Sequence, residues 1–568
     1  MRMDPREIRR ACLSRLEALK TERASWESDW REIADVILPR RGRWLTTDRN
    51  KGARRNRKII DNTGTLALRT MAAGLMSGIT SPARPWFSLA AAQPGVQDDD
   101  EVKLWLARCT ALLQDIFSAS NAYDALASVY EELSAFGTAA MVVLSDETDV
   151  ITCETLTAGQ YYVSTGKTGK VDTLYRSYSM TVAQLVDEFA PLSGKERDWS
   201  AISPATRSLH ENGKLDAWIE VLQAIEPNRD HRPGPSLAWR KPWRSVWIEI
   251  GAPDDRLLRT SGFDEFPAMC PRWNLTPGDI YGIGPAMDAL GDAQQLQAQE
   301  KKKGRAIEKM VDPAVNVPPG LKASSRPNLD PGGLNFFDQV NGPAQVTPVQ
   351  VVQPRLGEMQ QDMDFVRRRI RDAFYVDLWL MISQDDRSGI TATEINARRE
   401  EKLLMLGPVL ERLHHELLDP LIKRVFAIAV RAGLIPPPPA ALAKAPPKIK
   451  YISMLAQAQR AVAAGAIERM CGFVGNLAQA DPAILDKVDF DVAVDKYADV
   501  IGADPQLLRP DDQVAQMRQG RAQAQQAQQA MAMMQQGAAG AELLSRTDTT
   551  RPSALTGILN NVTGGGAA

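Results

Sequence analysis

Residues 73–87 read Ala73-Gly74-Leu75-Met76-Ser77-Gly78-Ile79-Thr80-Ser81-Pro82-Ala83-Arg84-Pro85-Trp86-Phe87. The first seven close a helix that starts near Asn62. Pro82 and Pro85 forbid its continuation, and Trp86 with Phe87 supplies two aromatics to anchor the segment that follows. The stretch is therefore expected to be packed rather than floppy.

Before it, Ile8, Leu13, Leu16, Leu19, Trp26, Trp30, Ile33 and Ile37 recur at helical spacing with charges between them. This predicts one amphipathic helix, or two joined, from Pro5 to Ile37, stopped by Pro39. From Arg40 to Lys58 the chain is basic: Arg40, Arg41, Arg43, Arg49, Lys51, Arg54, Arg55, Arg57 and Lys58 face only Asp48. Such a run is ordinarily a solvated face.

After it, Glu101–Phe117 and Tyr123–Phe136 are helical in pattern, and Ala139–Leu144 and Ile151–Leu156 read as short strands. Tyr161–Val163, a turn at Thr165–Lys170 and Val171–Tyr178 form an expected hairpin. Trp218–Ile225 and Trp243–Ile250 add aromatic and β-branched strands. Beyond Pro285 a helix is expected to about Val311, and another from about Leu356 to Leu380. Between them lies a proline-rich insertion longer than ordinary loops, which suggests a small module of its own. Thr391–Gly433 is helical, interrupted or kinked near Gly407-Pro408, and a separate C-terminal region is expected after the Pro436–Pro439 run. Asp512–Gly540, rich in Gln, Ala and Met, reads as a helix stacked in an assembly or a flexible tail. The fold class is α+β, mostly α.

At 568 residues the chain should divide into several packed regions, and its 44% hydrophobic and 24% charged residues are those of a globular protein. Lys+Arg 68 against Asp+Glu 70 gives a net charge of −2, so nucleic-acid contact would have to come from local patches. The five cysteines lie far apart without a CxxC pair and read as reduced, mostly buried thiols. No apolar run is long enough to span a membrane, and Met1–Arg10 lacks the apolar core of a signal peptide, so no membrane contact and synthesis in the cytoplasm are expected.

Tempting chemistry fails on spacing. Gly166-Lys167-Thr168 ends like a phosphate-binding loop, but Tyr161 stands where the first glycine is needed and a strand follows instead of a helix. His415-Glu416 begins like a zinc-protease helix, yet Asp419 occupies the second ligand position. Gly282 and Gly284 before Pro285 are better read as a turn leading into a helix than as a dinucleotide loop. No catalytic residue, metal ligand or cofactor is assigned, and the chain is not expected to be an enzyme. An alternative nuclease or other phosphate-acting enzyme would place Mg²⁺ on Asp385-Asp386.

Basic charge concentrates on the two helices flanking the insertion: Lys301, Lys302, Lys303, Arg305 and Lys309 on the first, Arg367, Arg368, Arg369 and Arg371 on the second. In a monomer these are ordinarily solvated. Repeated around a ring, they could follow a duplex backbone without reading bases. Ser383–Gly389 is a polar loop carrying Asp385, Asp386 and Arg387, followed by Thr391 and Glu394 at capping-box spacing.

Several segments resemble the head-to-tail connecting (portal) proteins of short-tailed bacteriophages. They are Trp26–Ala34, Leu38–Gly42, Ile60–Thr63, Ala73–Phe87, Tyr281–Leu290, Thr391–Ile395, Leu406–Leu410 and Glu416–Leu421, in the family's order. The resemblance implies a portal fold assembled as a dodecameric ring, the DNA channel at one capsid vertex of the virion; the alternatives are another head-tail connector or adaptor without the channel, or a DNA-packaging enzyme. Implied partners are other copies of the chain, double-stranded DNA held non-specifically, the terminase large subunit, a tail adaptor, and a major capsid or scaffold protein. It further implies a wing (1–284), first stem helix (285–311), clip (312–354), second stem helix (355–381), channel loop (382–390), wing helices (391–439), crown (440–511) and a C-terminal barrel helix or flexible tail (512–568). The channel-lining residues it suggests are Lys301, Lys302, Lys303, Arg305, Arg367, Arg368, Arg371, Asp385, Asp386 and Arg387.

Overall fold

Helix α1, Pro5–Val36, is one uninterrupted element, started by Asp4, whose carboxylate accepts from the Arg6 amide, and by Pro5 in the first turn. The computed structural model describes residues 4–44, 57–91, 99–193, 196–229, 231, 240–253, 255–317, 328, 330–336, 347–348, 355–383, 406–442, 447–452, 454–478, 481–501, 509 and 511–545. They fall into two units, Met1–Glu468 and Arg469–Ala568.

In the first unit α2 (Thr63–Ile79), α3 (Asp100–Ala119) and α4 (Ala122–Phe136) follow, with the short strand β1 (Phe87–Ala90) between α2 and α3. Trp86 and Phe87 are buried, as expected of that loop, and the Trp86 indole donates to the Tyr123 hydroxyl at 3.2 Å. Strands β2 (Ala140–Ser145), β3 (Ile151–Leu156), β4 (Tyr161–Thr165) and β5 (Val171–Thr181) come next. The expected hairpin is β4–β5. Its turn, with Gly169 at φ +74°, accounts for Gly166-Lys167-Thr168 without a phosphate. Helix α5 (Val182–Phe189) starts on a capping box from Thr181 and Gln184. A two-residue hairpin, β6 (Leu192–Ser193) and β7 (Glu196–Arg197), precedes α6 (Pro204–Glu211), β8 (Trp218–Pro227), β9 (Trp243–Glu249), β10 (Arg259–Phe263) and β11 (Ala268–Met269).

Five strands form an antiparallel sheet in the order β10-β9-β8-β5-β4. Side chains alternate across it. Leu222, Ala224, Val246 and Ile248 meet Ile8, Cys12, Leu16 and Leu19 of α1 on one face; Val221 meets α5 through Leu185, Val186 and Phe189 on the other. The C-terminal half of α1, through Trp30 and Ile33, joins a larger core with α2, α3, α4 and the β11-β2-β3 sheet.

The helix expected from Pro285 to Val311 is two pieces, α7 (Pro285–Asp288) and α8 (Leu290–Val311). Three small strands, β12 (Val315–Val317), β13 (Leu334–Phe336) and β14 (Thr347–Pro348), make a sheet within the proline-rich insertion. The long helix expected from Leu356 to Leu380 also divides, into α9 (Leu356–Ala373) and α10 (Val376–Ser383). Tyr375 stands between them at φ +53°, a conformation that ends the helical path.

After a gap in the described residues, Gly407–Leu413 and Asp419–Arg431 are α-helices joined by a π-helical turn at His414–Leu418. The interruption expected near Gly407-Pro408 is the start of this helix, with Pro408 in its first turn, and a further irregularity follows at the π turn. A separate region was expected right after the Pro436–Pro439 run. Instead the chain returns to the first unit: β15 (Lys448–Tyr451) pairs antiparallel with β1, Phe87 opposite Tyr451, and Leu442 is buried in the main core. Four cysteines are buried free thiols and Cys471 is half-buried.

The second unit holds the end of helix Met454–Ala478, a 3₁₀ turn at Pro482–Lys487, helix Phe490–Ile501 and the 35-residue helix Asp511–Ser545. Of the two readings of the Gln- and Ala-rich stretch, the described residues are helical. Arg518 holds the Asp491 carboxylate with two bonds of 2.6 and 2.8 Å. Among the described residues of this unit, Phe473, 64% exposed, and Phe490, Val492 and Val494 leave apolar surface uncovered.

Candidate functional site

The basic charge singled out in the sequence rides on α8 and α9, and a glycine contact fixes the start of α7, which leads into α8. Gly137, in the left-handed region at φ +68°, ends α4; a Cβ there would fall 2.3 Å from the Gly282 carbonyl oxygen and 2.4 Å from the Gly284 nitrogen. The backbones thus touch, which is why Gly282 and Gly284 precede Pro285. No dinucleotide is needed to explain them.

From that start α8 and α9 run antiparallel: Asp292 meets Arg369 at 2.7 Å, Gln299 meets Asp362 and Glu300 meets Arg367. Ala293, Leu296, Met363, Val366 and Ile370 fill the seam. The charges then divide into two groups. Arg367 binds Asp61 at 2.8 Å, Glu300 at 2.6 Å and Asp364 at 2.7 Å, and Lys303 joins through Glu300 at 2.9 Å. Burial would raise the Asp61 carboxyl, but bonds from the Thr63 hydroxyl and amide and the Arg367 guanidinium hold it below the usual range. Bonding to Asp61 in turn raises Arg367. Arg367 and Lys303 are therefore compensated within the chain. Arg371 pairs with Asp377 at 3.4 Å, and exposed Arg368 lies 5.8 Å from the Phe365 ring centroid.

Lys301, Lys302 and Arg305 form the other group. All three are exposed and have no acidic partner among the described residues. With Arg368, they are the suggested lining residues whose charge no acidic side chain among the described residues compensates. Asp385, Asp386, Arg387 and the Thr391–Glu394 capping box lie outside the described residues.

Two polar features were not singled out in the sequence reading. Arg272, 2% exposed, is clasped by Glu416: its amide and Nε donate to Oε2 at 3.0 and 3.1 Å and its Nη2 to Oε1 at 2.5 Å. Glu416 sits in the π turn, so the irregularity accompanies a buried ion pair. His414 beside it stacks on Tyr451 at 4.0 Å, an ordinary structural role. Glu132 on α4 is fully buried, accepting from the Thr157 hydroxyl at 2.6 Å and the Ala158 amide at 3.0 Å. Burial pushes its carboxyl up to about 7 despite those bonds and nearby Arg41. Neither residue has a local sequence signal, because each partner lies far along the chain.

The described residues contain no cluster of three His, Cys, Asp or Glu side chains suited to a metal ion, and no helix long and apolar enough to cross a membrane.

Against known proteins, the family described as bacteriophage head to tail connecting protein matches residues 9–508. The probable portal protein of Bordetella phage BPP-1 is 45% identical over 556 residues, which is 98% of this chain and 99% of that protein. The portal protein of Salmonella phage epsilon15 is 42% identical over 549 residues, 96% of this chain and 97% of its own length. A solved structure of the neck of an empty GTA particle, computed with C6 symmetry, overlaps 76% of this chain and 93% of its own with a TM-score of 0.32 at 12% identity.

Proposed function

This chain belongs to the bacteriophage head to tail connecting protein family and has the role of a phage portal, and on that premise we propose that its copies assemble into a ring around passing double-stranded DNA. The observation that carries the reading is identity above 40% to two portal proteins across almost the whole of all three chains. In this reading α8 and α9 form the stem, the β12–β14 insertion the clip, and residues 382–390 the channel loop. The wing comprises 1–284 and 391–439. The crown follows β15, since that strand pairs back onto β1, and helix Asp511–Ser545 forms the barrel. The ring is dodecameric, stands at one capsid vertex, contacts the surrounding capsid or scaffold protein, and serves first the terminase large subunit and later a tail adaptor.

The charge distribution supports passive conduction. A duplex threading the ring meets Lys301, Lys302 and Arg305, which offer charge without base recognition, while Arg367 and Lys303 stiffen the helix pair. Force for packaging then comes from the partner motor.

Light scattering and negative-stain images of the purified full-length chain test the assembly. Closed rings with a central hole are expected; a monomer at every concentration and salt overturns it.

A further inference from the structure

At the far end of strand β3 the surface sinks into a pocket of about 370 Å³ lined by Arg41, Arg43, Arg176, Glu154, Thr157 and Tyr178, among others. Arg176 is 4% exposed and rigidly held: its Nε donates to Gln223 at 2.6 Å, Nη1 pairs with Glu154 at 2.5 Å, and the guanidinium lies 5.1 Å from the Tyr178 ring. Arg41 is held by Glu131 at 2.8 Å. Arg43 is exposed, and its side chain has no acidic partner among the described residues. The pocket therefore keeps one uncompensated cation at its mouth.

The other end of the same hairpin carries the opposite charge. Asp146, Glu147 and Asp149 are exposed in the β2–β3 turn. The Asp146 carboxylate accepts from the Thr148 and Asp149 amides at 2.8 and 2.9 Å, which fixes the turn, and Val150 holds φ +68° beside it. Glu147 and Asp149 have no cationic partner among the described residues. Strand β3 separates the two features by roughly 17 Å, at about 3.3 Å per residue.

We propose that the acidic β2–β3 turn of one copy docks in the arginine-lined pocket of the next copy. This rests on the ring reading above and deepens it. Two different, complementary patches on one chain make a head-to-tail contact, and head-to-tail contacts close into rings when the rotation allows. A fixed turn loses little freedom on docking. The pocket suits one or two carboxylate side chains better than a duplex, because Glu131 and Glu154 stand beside the arginines and repel a continuous row of phosphates.

The test uses the full-length chain with the pocket reversed, Arg43→Glu, or the turn reversed, Glu147→Lys with Asp149→Lys; circular dichroism checks the fold of each. The concentration for half-assembly, read by light scattering, is expected to rise about tenfold or more for each alone. An equimolar mixture of the two is expected to restore it, since reversed and native charges then alternate around the ring. Assembly of both reversed chains at the wild-type concentration, or a mixture that stays dissociated, overturns the docking while leaving the ring in place. Unchanged assembly with lost binding of a short DNA duplex in Arg43→Glu assigns the pocket to phosphate instead. A wild-type chain that never assembles refutes the ring reading and this contact with it.

Discussion

The Trp379 indole fills the space that a side chain at position 74 would need: a Cβ on Gly74 would fall 2.5 Å from the ring, whereas one on Gly78 would stand 3.7 Å from it. The two glycines share a face of α2 one turn apart, yet only the first is sterically required. Gly74→Ala is expected to lower unfolding stability by about 2 kcal/mol, because overpacking outweighs the gain in helix propensity. Gly78→Ala should be neutral or stabilise by up to about 1 kcal/mol. Urea unfolding followed by tryptophan fluorescence separates them; equal midpoints would show that α10 gives way without cost.

Buried Arg272 and partly exposed Glu416 form a pair whose removal is asymmetric. Glu416→Ala leaves a guanidinium without its counter-ion and is expected to cost about 3–5 kcal/mol, while Arg272→Met with Glu416→Leu recovers most of the loss. Thermal unfolding of the three chains gives the comparison. A single variant as stable as the wild type would mean that water reaches the site.

Glu132 makes a pH-dependent contribution of definite sign. Its folded carboxyl titrates at about 7 against an ordinary value of 4.5, so the folded state binds the extra proton between those values. Its contribution is fully present below pH 4.5 and is lost as pH rises through about 7. Relative to Glu132→Gln, the wild-type chain should therefore lose stability across that window, by an amount on the order of 1–3 kcal/mol. Chemical unfolding of both at several pH values measures it. A difference that does not vary with pH would mean the carboxyl is ionised throughout.

The charges of α8 and α9 should separate by experiment. Replacing Lys301, Lys302 and Arg305 by Ala is expected to reduce the salt dependence of DNA association, the slope of log K against log salt falling by about 2–3 if all three contact phosphate. Arg367→Ala should leave that slope unchanged and lower stability, because Asp61 and Glu300 lose their shared cation. Fluorescence anisotropy over a salt series, with thermal unfolding alongside, reads both. A slope that follows Arg367 instead would assign that residue to the DNA surface.

Much of the fold could be read locally. The periodicity of α1, the prolines after α2 and the β4–β5 turn each act over a few residues. What escaped the sequence depends on distant partners. Gly282 and Gly284 marked a turn, but nothing beside them names Gly137 as the backbone they touch. The basic triplets on α8 and α9 are alike in sequence, and only Asp61, from before α2, sets Arg367 apart. The break at Tyr375 interrupts an apolar pattern that continues on both sides of it. Strand β15 is short and follows a proline run, so only its pairing with β1 shows that it completes the first unit.

That last pairing imposes an order on biosynthesis. Strand β1 leaves the ribosome early, but its sheet partner is not made until residues 448–451 emerge. Until then β1 has an open edge, and non-local closure of this kind is slow to form. A nascent chain cut short before residues 448–451 thus leaves the first unit unfinished, with β1 unpaired.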